Sequence, residues 1–201
     1  MKITLPASRG TFALTLRTVA MAASVALSPM ALAKARLGNA AITEEQVNAA
    51  QQAWCDALLQ IGKVNAEGGD DKAVAGKIID GAYDNKDGWV LFKPTLTSGK
   101  NTFRNTRAGA LSYFVGGNPD CPDDKGFALA PWVKVRYDNA GTGNNGIQIH
   151  DNIALSMGNV YLTGKDGTEM MVDKTFAFRK CADGKLRQVV HKSALPFEPA
   201  K

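Results

Sequence analysis

Between Thr43 and Gly62 apolar side chains return every three or four residues, at Val47, Ala50, Trp54, Leu58 and Ile61. That spacing places them on one face of a helix. Thr43-Glu44-Glu45-Gln46 supplies a capping box at its start, and Gly62 marks its expected end. Gly68-Gly69-Asp70-Asp71 then breaks the chain and caps a second helix with Val74, Ile78 and Ala82 on one face. After the turn Asn85-Lys86-Asp87-Gly88, the run Trp89-Val90-Leu91-Phe92 reads as a short buried strand stopped by Pro94. A third helix is predicted over 102–114, with Phe103, Arg107, Ala110, Leu111 and Phe114 inward and Gly116-Gly117 ending it.

From Trp132 onward the period changes to that of β-strands, with candidates at 132–138, 146–156, 159–163, 170–180 and 185–193. Lys165-Asp166-Gly167 and Ala182-Asp183-Gly184 place Asp-Gly between strands, the pair suited to a type I′ hairpin turn. Helices first and a meander afterwards predict an α+β fold: a curved antiparallel sheet wrapped by three N-terminal helices into a cone. Such a cone has a pocket at one end, whose chemistry must come from particular residues.

The first 33 residues follow neither period. Lys2, Arg9 and Arg17 occur there with no acid, followed by an apolar run from Val19 to Leu32 and the triplet Ala31-Leu32-Ala33. This is the pattern of a signal peptide over 1–33, its apolar run too short for the ~20 residues that cross a bilayer, with cleavage expected after Ala33 and Ala35 as the second choice. A single domain over 34–201 and a periplasmic or secreted location follow, with no membrane contact after cleavage. Removing the segment takes away three of the 24 basic residues and none of the 19 acidic ones, so the net charge falls from +5 to +2. With no basic run interleaved with aromatics in the rest, a nucleic-acid partner is not expected.

Cys55, Cys121 and Cys181 permit one disulfide with a thiol left over, without indicating the pair, and none stands in a Cys-x-x-Cys spacing. Cys55, among helical core positions, reads as a small buried hydrophobe. With only His150 and His191 in the chain, a three-histidine zinc site is impossible, and no other ligand spacing occurs. No cofactor is therefore expected, although counting alone does not exclude a divalent metal such as zinc in a mixed site. His150, expected near a strand middle, is read as packing or facing solvent.

Strand alternation places Arg187, Val189, His191 and Ser193 on one face and Leu186, Gln188, Val190 and Lys192 on the other. If Ser193 points into the cone, so does His191. A Ser-His pair evokes nucleophilic catalysis, but no Gly-x-Ser-x-Gly turn accompanies it, and a polar residue closing a strand before Pro196 fits equally. Thr95, at the end of the apolar strand, and Tyr113, near the end of the third helix, put two further hydroxyls at element boundaries. Arg104 and Arg107 are cations that could line the pocket mouth.

Four stretches, Gly88-Trp-Val-Leu-Phe-Lys-Pro-Thr95, Ala110-Leu-Ser-Tyr-Phe-Val-Gly-Gly-Asn118, Gly126-Phe-Ala-Leu-Ala-Pro-Trp132 and His191-Lys-Ser-Ala-Leu-Pro196, closely resemble the bacterial iota-class carbonic anhydrases in content and order. That family has the cone fold of the calcium/calmodulin-dependent protein kinase II association domain, within the nuclear transport factor-like and SnoaL-like superfamily. The resemblance implies reversible hydration of carbon dioxide, with bicarbonate held by the hydroxyls of Thr95, Tyr113 and Ser193. His191 enters as a proton relay, and Phe92, Phe114 and Val189 as apolar walls. Lys192 and Ala194 depart from the family's usual His-His-Ser-Ser-Leu-Pro, which removes the second histidine. The resemblance also implies a homodimer through the sheet. Two other readings stay open: a non-catalytic association module of the same fold, and a SnoaL-like isomerase or dehydratase needing a buried general base.

Overall fold

The computed structural model describes residues 41–199 apart from 87, 89 and 140–144. The expected signal peptide, its processing site at Ala33, and Trp89 lie outside the described residues.

Helix α1 (Glu44–Ala66) begins where the capping box predicts, with Gln46 N donating to Thr43 Oγ1 at 3.3 Å and Thr43 N to Gln46 Oε1 at 3.2 Å. It does not stop at Gly62. A Cβ there would stand 3.0 Å from the Ala128 carbonyl oxygen, so the glycine lets the helix press against the loop before the sheet. Helix α2 (Asp71–Ala82) is capped by Asp70, which accepts from Ala73 N at 2.9 Å. Its buried stripe runs through Ala75, Gly76 and Ile79, with Val74, Ile78 and Ala82 only partly covered, so the face is turned by one position from the prediction.

Helix α3 (Arg107–Val115) is shorter than predicted because Thr106 caps it, accepting from Gly109 N at 3.1 Å. Upstream, the Arg104 amide donates to Phe92 O and Asn105 Oδ1 accepts from Phe92 N, which ties this stretch to the strand containing Phe92. Phe103 consequently faces solvent at 65% exposure, against the expectation of an inward position.

Six strands form the sheet: β1 (Leu91–Lys93), β2 (Trp132–Asp138), β3 (Ile147–His150), β4 (Ile153–Gly164), β5 (Glu169–Lys180) and β6 (Leu186–Ala194), in the order β1-β6-β5-β4-β2. β3 also pairs with β4, end to end with β2 along that long strand. The single strand expected over 146–156 is therefore a hairpin, turning at Asp151 with φ 52°, a conformation that aspartate tolerates better than most residues. β1 pairs parallel to β6, as does the isolated bridge Tyr83–Gln188, whereas the pairings of β2 to β6 with one another are antiparallel. The Asp-Gly turns sit where predicted, but only Gly167 and Gly184 have positive φ, so they are not type I′. Asp166 and Asp183 instead hold the turns by accepting from Thr168 N and Lys185 N.

The inner face of the sheet is set by alternation along β4 and β5, with Ala154, Val160, Leu162, Val172, Phe176 and Phe178 packed against Trp54, Leu58, Ile61 and Ile79. On β6 a bulge opposite Ala177 and Phe178 makes Val189 the extra residue. Gln188 is thereby buried on the inner side with His191 and Ser193, where an unbroken strand would have placed Val189.

Candidate active site

β1 lies beside β6 with Phe92 opposite His191 and Lys93 opposite Lys192. Two residues further on, Pro94 has ended β1 and Thr95 turns back onto Ser193. Thr95 Oγ1 donates to Ser193 Oγ at 2.6 Å, and Ser193 Oγ donates to the Asp173 carbonyl at 3.1 Å. Lys93 Nζ donates to the Ser193 carbonyl at 3.1 Å, its pKa lowered by burial and by neighbouring Lys192. Both hydroxyls are buried, Ser193 completely.

Tyr113 comes from α3 and is 5% exposed. Its ring stacks on Phe127 at 5.3 Å and meets Phe92 edge-on at 5.7 Å, which fixes the direction of the phenol. No hydrogen bond of ordinary geometry reaches the hydroxyl, although the Thr95 side chain and the Leu96 and Thr95 backbone lie close enough to favour its ionised form. Burial dominates and pushes the phenol up to about 12, so at neutral pH it is a donor. Tyr113 and Leu96 line a cavity of about 480 Å³ together with the apolar Phe127, Trp132 and Met170 and the charged Asp123, Asp124 and Lys125. The three hydroxyls expected from sequence thus gather at one place, with an unspent donor beside open space.

His191 is 1% exposed and stands apart from that group. Its Nδ1 lies 2.7 Å from Tyr83 OH and its Nε2 3.1 Å from Lys174 Nζ, while Phe92 stacks on the ring at 4.4 Å. Burial first, and the adjacent Lys174 second, lower its pKa well below the usual value. With both ring nitrogens engaged elsewhere, His191 does not activate Ser193 as a nucleophile, which removes the triad geometry.

Of the expected walls, Phe92 and Phe114 are buried beside Tyr113, whereas Val189 is displaced by the bulge. Arg104 is 4% exposed and committed to Asp124, with Nε to Oδ2 at 3.0 Å and Nη2 to Oδ1 at 2.8 Å. Arg107 is likewise paired with Asp80 at 2.5 Å. Neither is a free cation at the cavity mouth. His150 ends β3 before the turn and is exposed, and all three cysteines are free, with Cys55 fully buried. Among the described residues no three His, Cys, Asp or Glu side chains gather as metal ligands would.

Sequence reasoning missed Lys174, Tyr83 and Trp54. Lys174 was legible in principle, since it falls between Val172 and Phe176 on the inward alternation of β5. Its amine lies 4.1 Å from the centre of the Trp54 ring.

A cone of helices over a curved sheet thus brings three hydroxyls together, one of them a neutral phenol donor beside a cavity. The chain belongs to the metal-independent carbonic anhydrase family, which matches residues 45–195. It is 49% identical over 172 residues to a metal-independent carbonic anhydrase from Nostoc sp. (strain PCC 7120 / SAG 25.82 / UTEX 2576), covering 82% of this chain and 79% of that protein. Among solved structures it is similar to the iota-carbonic anhydrase from a cyanobacterium complexed with bicarbonate. That similarity has a TM-score of 0.75 and 50% identity, covering 79% of this chain and 95% of the other. The family assignment agrees with the fold and with the expectation of no metal cofactor drawn from sequence.

Proposed function

We propose that this chain catalyses the reversible hydration of carbon dioxide to bicarbonate and a proton, without a metal, at Thr95, Tyr113 and Ser193. The observation that carries the assignment of the site is the buried, unpartnered Tyr113 hydroxyl beside the 2.6 Å Thr95–Ser193 hydrogen bond. A buried donor without a partner is costly, and a bound oxyanion is what satisfies it.

Zinc enzymes make hydroxide at neutral pH by lowering the pKa of bound water from 15.7 to about 7. Here the task passes to positioned donors. Tyr113 donates to an oxygen of carbon dioxide or bicarbonate, and the Thr95–Ser193 pair reorients its two hydroxyls to hold a second oxygen and the attacking water. Phe92, Phe114 and Phe127 pack around the Tyr113 ring, and this apolar side strengthens the hydrogen bond its hydroxyl gives to the charge growing on a substrate oxygen. The relative crystallised with bicarbonate supports this choice of ligand.

Stopped-flow carbon dioxide hydration by the chain from residue 34, before and after exhaustive chelation with metal content assayed in parallel, tests the reading. Activity that survives chelation is expected. Activity lost on chelation and restored by a divalent ion sinks the metal-free mechanism.

Two further readings are part of the proposal. The basic and apolar pattern of residues 1–33 supports export to the periplasm or medium, checked by mass spectrometry of the mature N-terminus. Leu155, Met157 and Met171, exposed apolar side chains on the outer side of β4 and β5, support a homodimer through the sheet. Analytical ultracentrifugation of the native chain and of Met157→Glu is expected to give a dimer and a monomer.

A further inference from the structure

Tyr113 is held by three stretches of chain that are distant in sequence: α3 carries it, Phe92 of β1 meets its ring edge-on, and Phe127 stacks on it. One group of buried polar side chains joins all three. The Arg104 amide donates to Phe92 O at 2.9 Å, and the Arg104 guanidinium holds Asp124 at two points, Nε to Oδ2 at 3.0 Å and Nη2 to Oδ1 at 2.8 Å. Asp124 Oδ2 also accepts from Ser112 Oγ at 2.6 Å. Ser112 immediately precedes Tyr113 on α3, and Asp124 lies shortly before Phe127 in the chain. Gly116, with φ 70°, turns the chain back towards Asp124, and a Cβ there would stand 3.2 Å from the Asp124 carbonyl oxygen.

The side chains of Arg104 and Asp124 are each 3% exposed, and Ser112 is 1% exposed. Taking such a pair out of water costs free energy that well-packed apolar side chains would not, so stability alone does not account for it. What the pair adds is geometry: the planar guanidinium fork fixes both the distance and the direction of a carboxylate, which a point-like ammonium does not. The fixed carboxylate in turn anchors, through Ser112, the helical turn that bears the phenol. Asp124 also lines the cavity beside Tyr113, and Arg104 offsets its charge there.

We propose that Arg104, Asp124 and Ser112 are positioning residues for the hydration reaction: they act through Tyr113, locking α3, β1 and the stretch before Phe127 together so that the phenol donor stays where the substrate oxygen needs it. This rests on the carbonic anhydrase reading above. None of the three is assigned a contact with substrate. Displacing a reacting group by about 1 Å costs on the order of a hundredfold in rate, so a clamp on the helix that carries the donor has a large lever.

The charge on Asp124 works in the same direction as the clamp. Burial, the larger cause, and the Asp124 carboxylate both raise the phenol, against the pull of Thr95 and the Leu96 backbone, to about 12. Tyr113 therefore remains a protonated donor. The titratable groups that face it are Asp124 and Tyr83, and Asp123 and Lys125 line the same cavity. Replacing Asp124 by a neutral residue removes the carboxylate and leaves the Arg104 guanidinium unpaired, and both changes favour the phenolate.

A double-mutant cycle on kcat/KM for carbon dioxide hydration tests this. Ser112→Ala, which leaves the ion pair intact, is expected to lower kcat/KM about tenfold in the native chain but less than about twofold in Tyr113→Phe, because a residue acting through the phenol has nothing to act on once the hydroxyl is gone. Arg104→Lys keeps the charge and loses the fork, and is expected to cost up to about a hundredfold in the native chain and again little in Tyr113→Phe. Equal costs in the two backgrounds identify a purely structural role and overturn the proposal. The tyrosinate absorbance of Tyr113, assigned by its loss in Tyr113→Phe, is expected to rise at lower pH in Asp124→Asn than in the native chain; an unchanged titration in the folded variant overturns the proposal as well. If Arg104→Lys or Asp124→Asn does not fold, the Ser112→Ala cycle decides by itself. No hydration by the native chain overturns the function, and the tyrosinate titration, which needs no turnover, still reads the hold of Asp124 on Tyr113.

Discussion

Two clusters share the inner face of β5 and β6 and differ in what water they meet. Thr95 and Ser193 are buried neutral hydroxyls bonded to each other, and Tyr113 lines a cavity with its donor left unsatisfied. Two residues back along β6, His191 is buried with Lys174, Tyr83, Trp54 and Phe176, and each ring nitrogen has a partner. The first cluster spends little on its own internal bonding and keeps a donor for a ligand. The second removes an amine from water without a counter-ion, which costs stability and leaves a base that is partly neutral at pH 7. The hydroxyl cluster thus keeps an unpartnered donor beside open space, whereas the His191 cluster buries an amine among aromatic rings.

The sharpest way to test this division is Ser193→Ala. Loss of one oriented hydroxyl is expected to reduce kcat/KM by about 100-fold to 1,000-fold, with thermal unfolding shifted by only a few degrees; an unchanged rate removes Ser193 from the site. Tyr113→Phe is expected to cost roughly 100-fold in hydration while leaving stability unchanged or slightly higher, because the lost hydroxyl had no partner. A marked fall in Tm for that variant means that Tyr113 is structural.

The dry cluster predicts a pH signature in stability. Unfolded Lys174 keeps its proton up to its ordinary value of 10.5, whereas the folded chain gives it up near 7. Between those values the unfolded state binds more protons, so stability rises with pH there. Denaturant titrations of native and Lys174→Met chains are expected to converge as pH rises from 7 to 10, from a gap at pH 7 of at most roughly 5 kcal/mol in favour of the methionine variant. His191 has its pKa depressed well below 6.5 in the fold, so the unfolded state gains protons first on acidification and the native chain should lose stability below about pH 6.5. Parallel curves for the two chains contradict the uncompensated amine.

Phe92 separates the clusters, stacked on His191 and edge-on to Tyr113. Phe92→Leu keeps most of the apolar volume but loses both ring contacts. A destabilisation of about 1–2 kcal/mol is expected, together with a smaller fall in hydration than either hydroxyl variant shows.

Much of this organisation was visible in the chain before folding. The capping box at Thr43, the alternation in 132–138 and 170–180, and the Asp-Gly turns are local, so propensity and period place them to within a residue or two. The order of helices and strands fixed the α+β class, and the motifs around Thr95, Tyr113 and Ser193 marked the candidate hydroxyls. Other features depend on partners distant in sequence. Whether Gly62 ends a helix depends on the carbonyl of Ala128 against it, and the start of α3 depends on the hydrogen bonds between Phe92 and residues 104 and 105. The β6 bulge, which buries Gln188 in place of Val189, arises from pairing with β5. Likewise, nothing near Lys174 in the chain announces an uncompensated buried amine, since His191, Trp54 and Tyr83 come from β6, α1 and the residue after α2. Local periodicity determined the elements and the residue types at the site; only tertiary packing decided which of those groups lost their water, and hence which keep an unpartnered donor and which have their protonation shifted.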